Sequence, residues 1–269
     1  MSAGTQDLWH RVQARLDAAL PSWRDTIEHF GQVAAAEQRS FGLHWSDDDV
    51  FESLLRAVLS NNTDWAKVEG VLPELREVFH GFSLSSYAGM MEEEVADRIV
   101  PWFKARRAGS MTLKRSLLGL IETARILRRW SEKNGLAEHF FTSLVEETGD
   151  PKAAVMALGS YGSPRKLPSL GIPIAAEAMR NLGYDVVKPD RHICRAAGSF
   201  GLVEFRKWPD RSGTKPPEAA PEELLATMVQ MERFAKEVGE RPTFLDNAVW
   251  LLCAKMGLYL SNAELASFR

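Results

Sequence analysis

Between Ala153 and Leu182 the chain carries a segment of helical period, the five-residue connection Leu167-Pro-Ser-Leu-Gly171, and a second segment of helical period. That connection limits the fold more than any other feature. It is a tight connection, of the kind that joins two helices closely. Gly171 accepts a positive φ or a close backbone approach. Pro173 suits the first turn of a helix, where its missing N–H has no partner to lose. Ile174, Ala178 and Leu182 then continue as a buried stripe. A turn-rich stretch, Gly159-Ser-Tyr-Gly-Ser-Pro164, precedes the connection, and Ala153 to Leu158 suit a short helix ahead of it.

The same periodicity runs through most of the chain. Leu8, Val12, Leu16 and Leu20 recur at helical spacing until Pro21 ends the run. The segment Ser46-Asp-Asp-Asp offers N-cap candidates for a helix with Phe51, Leu54, Leu55, Val58 and Leu59 on one face. Asn61 and Asn62 close that helix, and another starts near Thr63 with Trp65 and Val68. Leu113 to Trp130 places Leu113, Leu117, Leu120, Ile121, Ala124 and Leu127 on an inner stripe. Leu224, Met228, Met231 and Val238 mark one late helix; Leu245, Val249 and Leu252 mark another. Only Tyr184–Val187 and Leu202–Phe205 look strand-like, and both are short. Lys207 to Pro221, with Pro209, Pro216, Pro217 and Gly213, reads as an exposed loop. There is no internal repeat, and the predicted fold class is all-α.

At 269 residues, 45% hydrophobic and 26% charged, the chain suits a soluble globular protein of one large domain or two small ones. No apolar run reaches the ~18 residues of a membrane span, and the N-terminus lacks the basic-then-apolar pattern of a secretory signal. Cys194 and Cys253 stand at no metal-ligand spacing, which speaks against zinc, a cysteine-ligated iron–sulfur cluster and a disulfide framework. No cofactor or metal is expected, and a reducing, cytoplasmic compartment fits. Net charge is −3, yet Arg98 to Lys133 holds ten Lys/Arg against two Asp/Glu, and Ser163 to Arg195 six against three. The acids gather at Asp47–Asp49 with Glu52, at Glu92–Glu94 with Asp97, and near Glu218–Glu223, as solvated helix faces do. Segregated charge of this kind leaves a nucleic-acid partner open.

A tight connection between helices points backbone N–H groups at one spot, beside the positive end of a helix dipole, and so makes a phosphate site without a basic side chain. Such a grip holds DNA backbone and not sequence. An ordinary helical turn inside a core has the same appearance, and the next segment weighs between the two. In Tyr184-Asp-Val-Val-Lys-Pro-Asp-Arg-His-Ile-Cys-Arg195, Pro189 disfavours helix at Lys188. Asp190 is then placed as the N-cap of an amphipathic stretch containing Ile193 and Ala197, at a cleft edge.

Leu-Pro-x-Leu-Gly, a short amphipathic helix, and then Lys-Pro-Asp-Arg-His-Ile-x-Arg together resemble the signature of the helix-hairpin-helix/GPD superfamily of base-excision DNA glycosylases. The resemblance implies that Asp190 is the catalytic carboxylate and that Leu167, Ser169, Leu170, Gly171 and Ile172 meet DNA backbone. Phe51-Glu-Ser-Leu-Leu-Arg-Ala-Val-Leu-Ser-Asn-Asn-Thr-Asp64 resembles the family's early helix, whose closing turn fills the space behind a flipped base; Asn61 or Asn62 would stand there. Ile99-Val-Pro-Trp-Phe-Lys-Ala-Arg-Arg-Ala-Gly109 resembles its basic, aromatic turn. The likeness spans about Trp45 to Gly201. It implies two helical subdomains flanking a cleft, one from residues 1–45 and 198–269. The other is a core of 46–197, with the hairpin at about 153–182 and the Asp loop at 186–195. Two positions depart from the pattern. Ser169 replaces the first hairpin glycine, which is expected to loosen the approach to phosphate. Pro173 stands where members with lyase activity carry a Schiff-base lysine, while Lys166 and Lys188 are out of register.

Excision requires the base to leave the stack, and breaking its bond develops oxocarbenium character on the sugar. Asp190 is the candidate stabiliser, and water the expected attacker. The expectation is a monomeric, monofunctional glycosylase acting on damaged double-stranded DNA. Alkylated purines leave readily and carry positive charge, so an aromatic pocket selects them by stacking and cation–π attraction. Trp45, Trp65, Trp102, Trp130 and Trp250 are available, most of them expected in the core. Arg165, Lys166, Lys104, Arg106 and Arg191 are candidate phosphate contacts. His192 is expected to pack or to bond DNA backbone, and Asp246 to cap the last long helix. Three other readings stay open: a glycosylase/lyase for oxidised, deaminated or mismatched bases using Lys166 or Lys188, a non-catalytic DNA-binding protein, and a helical protein with no nucleic-acid role.

Overall fold

A computed structural model describes residues 3–61, 63 and 65–269. In chain order its α-helices are α1 (Ala3–Ala19), α2 (Trp23–His29), α3 (Gln32–Ser40), α4 (Asp47–Leu59), α5 (Trp65–Glu69), α6 (Leu72–Val78), α7 (Leu84–Ala88), α8 (Glu92–Glu94) and α9 (Val100–Ala105). There follow α10 (Leu113–Asn134), α11 (Glu138–Thr148), α12 (Pro151–Gly159), α13 (Ile172–Asn181), α14 (Arg191–Ser199), α15 (Pro221–Val238), α16 (Pro242–Cys253) and α17 (Asn262–Ala266). No strand occurs among the described residues, so the all-α class holds. Tyr184–Val187 is irregular because the Val186 N–H turns back onto the Tyr184 carbonyl at 2.9 Å; Leu202–Phe205 is irregular too. Lys207 to Pro221 is looped but pinned: the Asn262 side chain donates to the carbonyls of Asp210 and Lys215 at 2.6 and 3.0 Å.

The chain forms two compact units, Met1–Phe41 with Gly183–Arg269, and Gly42–Leu182. The Asp loop therefore falls with the terminal segments and not, as the sequence suggests, with the hairpin. The cause is α14, which packs on α15, α16 and α17. Its buried Arg195 donates to the Asn262 side chain at 2.8 Å and to the carbonyls of Cys253 and Leu260. Three acceptors satisfy the guanidinium, which makes its burial tolerable. In the same unit α16 also packs against α2 and α3, and α1 against α15.

The unit Gly42–Leu182 is built on α4. Val50, Phe51, Leu54, Leu55 and Val58 are buried, each stabilising by about 1.5–3 kcal/mol, and α10 and α13 pack against this helix. Asp48 and Asp49 at its start are exposed and Asp47 half-buried, and each is also hydrogen-bonded. Asp49 and Ser46 form a reciprocal capping box. Asp47 accepts the Ala137 N–H at 2.7 Å, at the start of α11, and also the Ser131 hydroxyl. Asp48 accepts the Leu84 N–H at 3.0 Å, at the start of α7. One acidic run thus caps three helices.

Candidate active site

The hairpin lies in the Gly42–Leu182 unit. The end of α12 presses on the start of α13: a Cβ at Gly159 would sit 2.5 Å from the Ile172 Cα. Residues 160–171 connect the two helices, with the Leu167 N–H on the Leu158 carbonyl at 3.1 Å. Leu167, Leu170 and Ile172 are buried, and the N–H groups of Leu167 and Leu170 are already held by the carbonyls of Leu158 and Leu167. Gly171 is extended, at φ −77°, and a Cβ there would meet nothing within 4 Å. The positive φ falls instead on Ser169, at 64°. Ser169 itself thus takes the left-handed conformation that glycine adopts most readily. What makes room is Gly119 of α10, whose missing Cβ would lie 2.0 Å from the Ser169 Oγ; nearby, Thr123 Oγ1 donates to the Pro168 carbonyl at 2.8 Å. Helix α13 starts with no side-chain cap, leaving the N–H groups of its first turn for an anion.

Lys166 faces its own hairpin. Its Nζ donates to the Gly159 carbonyl at 3.3 Å and to the Leu170 carbonyl, and burial lowers its pKa. Arg165 pairs with Glu147, and Arg106 pairs with Glu74 at 2.7 Å while lying over the Trp102 ring at 4.1 Å. Lys104 is exposed without an acidic partner among the described residues. Asn61 closes α4, donating its N–H to the Val58 carbonyl at 3.2 Å; Asn62 lies outside the described residues. Trp45, Trp65, Trp102 and Trp130 are half-buried in this same unit.

The Asp loop lies in the other unit. Asp190 is the N-cap of α14: its Oδ1 accepts the N–H groups of His192 and Ile193 at 2.8 and 3.1 Å. Oδ2 stands 3.9 Å from the Lys188 Nζ. Burial pushes the Asp190 pKa up, but His192, Lys188 and the two N–H groups outweigh it and hold the carboxyl below the usual range. The result is an ionised carboxylate with one oxygen committed to the helix and the other available. Beside it, His192 is held below its ordinary pKa by burial, against the pull of Asp190. Its Nδ1 is buried with no hydrogen-bond partner, its Nε2 is 3.3 Å from the Arg191 Nε, and its ring is 6.0 Å from that of Trp250. Trp250 in turn meets Phe30 at 5.9 Å. Trp250 is thus joined to the Asp loop by a ring contact.

Two residues that position this loop escaped the sequence reading. Asp246 does not cap α16; buried in its second turn, it accepts the Lys188 N–H at 2.9 Å. The capping role belongs to Asp185, which accepts the Thr243 N–H at 2.9 Å. The signal was present: Arg241 stands at the N-cap of α16 with no side chain able to cap, so a distant acceptor was needed. Among the described residues no group of three His, Cys, Asp or Glu is arranged to hold a metal ion, and no helix is long and apolar enough to cross a membrane.

No family model and no curated protein matches the chain. Solved structures do. The 8-oxoguanine DNA glycosylase of Methanocaldococcus jannaschii has 18% identity and a TM-score of 0.57, with 91% of this chain and 94% of that one covered. The M. jannaschii 8-oxoguanine glycosylase/lyase in complex with a 15mer DNA containing 8-oxoguanine has 17% identity and a TM-score of 0.56, over 90% and 95%. The 8-oxoguanine DNA glycosylase of Thermotoga maritima has 18% identity and a TM-score of 0.57, over 92% and 96%. At these identities the likeness is one of architecture, and it runs nearly end to end: the chain has the all-helical fold of these 8-oxoguanine DNA glycosylases.

Proposed function

We propose that this protein is a DNA glycosylase of base excision repair that hydrolyses the N-glycosidic bond of a damaged base, with Asp190 as its catalytic carboxylate. The observation that carries the reading is the state of Asp190: ionised, mostly buried, one oxygen fixed by two backbone N–H groups, the other facing Lys188. As the bond from C1′ to the base nitrogen breaks, its electron pair leaves with the base and positive charge grows on the sugar. A fixed negative charge stabilises that sugar. Water then adds its oxygen to C1′ and gives its proton to Oδ2, leaving an abasic site. Pro173 in the first turn of α13, where a lysine nucleophile would stand by resemblance, supports water as the attacker and a monofunctional enzyme.

The lesion is read from the aromatic wall. Trp250, with His192 and Phe30 around it, suits a cationic alkylated purine, held by stacking and cation–π attraction. Two observations support an oxidised base and a lyase step instead: the fold likeness to 8-oxoguanine glycosylases and the desolvated amine of Lys166. Duplexes bearing a 7-methylguanine, an 8-oxoguanine, a uracil or a mismatch, incubated with the pure protein, separate these. Release of the methylated base with an intact abasic strand is expected. A borohydride-trapped covalent adduct, lost in Lys166→Ala, supports the lyase reading. No base released from any duplex, or full activity in Asp190→Asn, overturns the assignment of Asp190.

A further inference from the structure

Lys188 stands two residues ahead of Asp190, and its backbone is held on both sides. Its N–H donates to the buried Asp246 at 2.9 Å. Its carbonyl accepts the Asp190 N–H at 2.7 Å, closing a tight turn around Pro189, whose ring fixes φ at the centre of that turn. From this clamped backbone the side chain runs to the carboxylate. Nζ lies 3.9 Å from Oδ2, and the two side chains are only 11% and 15% exposed. Oδ1 is already taken by the N–H groups of His192 and Ile193, so the lysine stands beside the oxygen that remains for chemistry. A long, flexible, strongly hydrated side chain loses both freedom and water in such a place.

A carboxylate by itself answers only part of base excision. It stabilises the positive charge that grows on the sugar, but the electron pair of the breaking bond goes with the base. A cationic alkylated purine then departs as a neutral molecule and needs no proton. A neutral base departs as an anion, and a positioned acid speeds that departure by roughly 10²–10⁴-fold. Burying a lysine beside the free oxygen of Asp190 places a source of protons next to the sugar carbon that the carboxylate serves.

We propose that Lys188 is the proton donor to the leaving base, which extends the reaction from cationic lesions to neutral ones. As the bond from C1′ to the base nitrogen breaks and its electron pair moves onto the base, a proton passes from Nζ to the base, which leaves uncharged. Water adds its oxygen to C1′ and gives its proton to Oδ2. That proton then crosses from Oδ2 to the Nζ amine, restoring carboxylate and ammonium. The sum is one water consumed, with the enzyme returned to its starting state. The inference rests on the reading of Asp190 as the catalytic carboxylate.

Single-turnover release from duplexes bearing 7-methylguanine or a neutral lesion, 8-oxoguanine or uracil, tests it with the full chain. Lys188→Arg keeps a positive charge beside Asp190 but does not give up a proton. It is expected to release 7-methylguanine within about tenfold of the parent and the neutral base at least ~100-fold more slowly. Lys188→Gln is expected to show the same bias. The readout is the ratio of the two rates, which misfolding of part of the sample leaves unchanged because it lowers both alike. An unaltered ratio in both variants overturns the proton donor and leaves Asp190 in place, as does a parent that releases 7-methylguanine but no neutral base. For a parent that releases the neutral base alone, a loss of at least ~100-fold in Lys188→Arg with a parent-like thermal melt supports the role, and a smaller loss overturns it. A parent that releases no base from any duplex overturns the proposed function and this inference with it.

Discussion

Asp190 caps α14, and the catalytic role proposed for the same carboxylate can be separated from the cap at the bench. Asn at this position keeps an oxygen for the His192 and Ile193 N–H groups but loses the charge; Ala loses both. Asp190→Asn is expected to melt near the parent and to release base at least ~100-fold more slowly, as removal of one preorganised electrostatic group does. Asp190→Ala is expected to cost a further ~1 kcal/mol of stability through the lost cap, read as a lower urea midpoint. The pH dependence follows from two depressed pKa values. Below about pH 6.5 the unfolded chain protonates its histidine before the buried His192 does, so stability starts to fall there. Asp190 adds stability above about pH 4 that is lost as pH drops through its lower folded value. Urea midpoints should therefore decline from pH 7.5 to 5.5 and again below 4, with His192→Gln flattening the first decline. A parent no less stable at pH 5.5 than at 7.5, or an unaltered decline in the variant, contradicts this. Asp190 was legible because its cap role is local, written in Pro189 and the helix that follows. Asp246 was not, because its partner Lys188 lies 58 residues away and only the folded chain brings them together.

At the scale of elements the hairpin shows what periodicity does and does not reveal. Helices α12 and α13 could be read from apolar spacing and Pro173. The choice of Ser169 over Gly171 for the left-handed position could not, since it depends on α10 presenting Gly119 opposite the serine hydroxyl. This juxtaposition makes a double-mutant prediction. Gly119→Ala drives a methyl into Ser169 and is expected to destabilise by about 1–3 kcal/mol, as overpacking does. Ser169→Gly removes the obstructing hydroxyl and relieves the positive φ, so the pair should be more stable than Gly119→Ala alone. Additive effects of the two substitutions, measured by urea unfolding, would show that the residues are not coupled. Lys166 belongs to the same element. By joining the carbonyls of Gly159 and Leu170 it closes the neck of the 160–169 excursion, whereas the sequence alone suggests a phosphate contact.

For the whole molecule, the all-α class was legible because apolar residues recur at helical spacing from one end of the chain to the other. The raw excess of ten basic residues over two acids between Arg98 and Lys133 was less informative, because Arg98 and Arg106 pair with glutamates from outside that stretch. Nor did the sequence locate the unit boundary, which follows from the burial of α14 among late helices. The two units differ in one respect that matters for how they form. Gly42–Leu182 is a single stretch of chain, whereas the other unit joins an early segment to a late one. A fragment of residues 42–182 is therefore expected to fold alone with a cooperative thermal melt, and a fragment of 183–269 to remain unfolded until 1–41 is added. A non-cooperative melt of the first fragment would refute this.

The anchoring of the Asp loop by α16 has a consequence in time. Thr243 and Asp246, which hold Asp185 and Lys188, are synthesised more than fifty residues after them. At roughly 5–20 residues per second the nascent chain spends about three to twelve seconds with the hairpin already complete and the Asp190 loop unanchored. If the proposed function holds, the DNA grip forms before the chemistry, and a chain released early from the ribosome is expected to bind DNA without releasing a base.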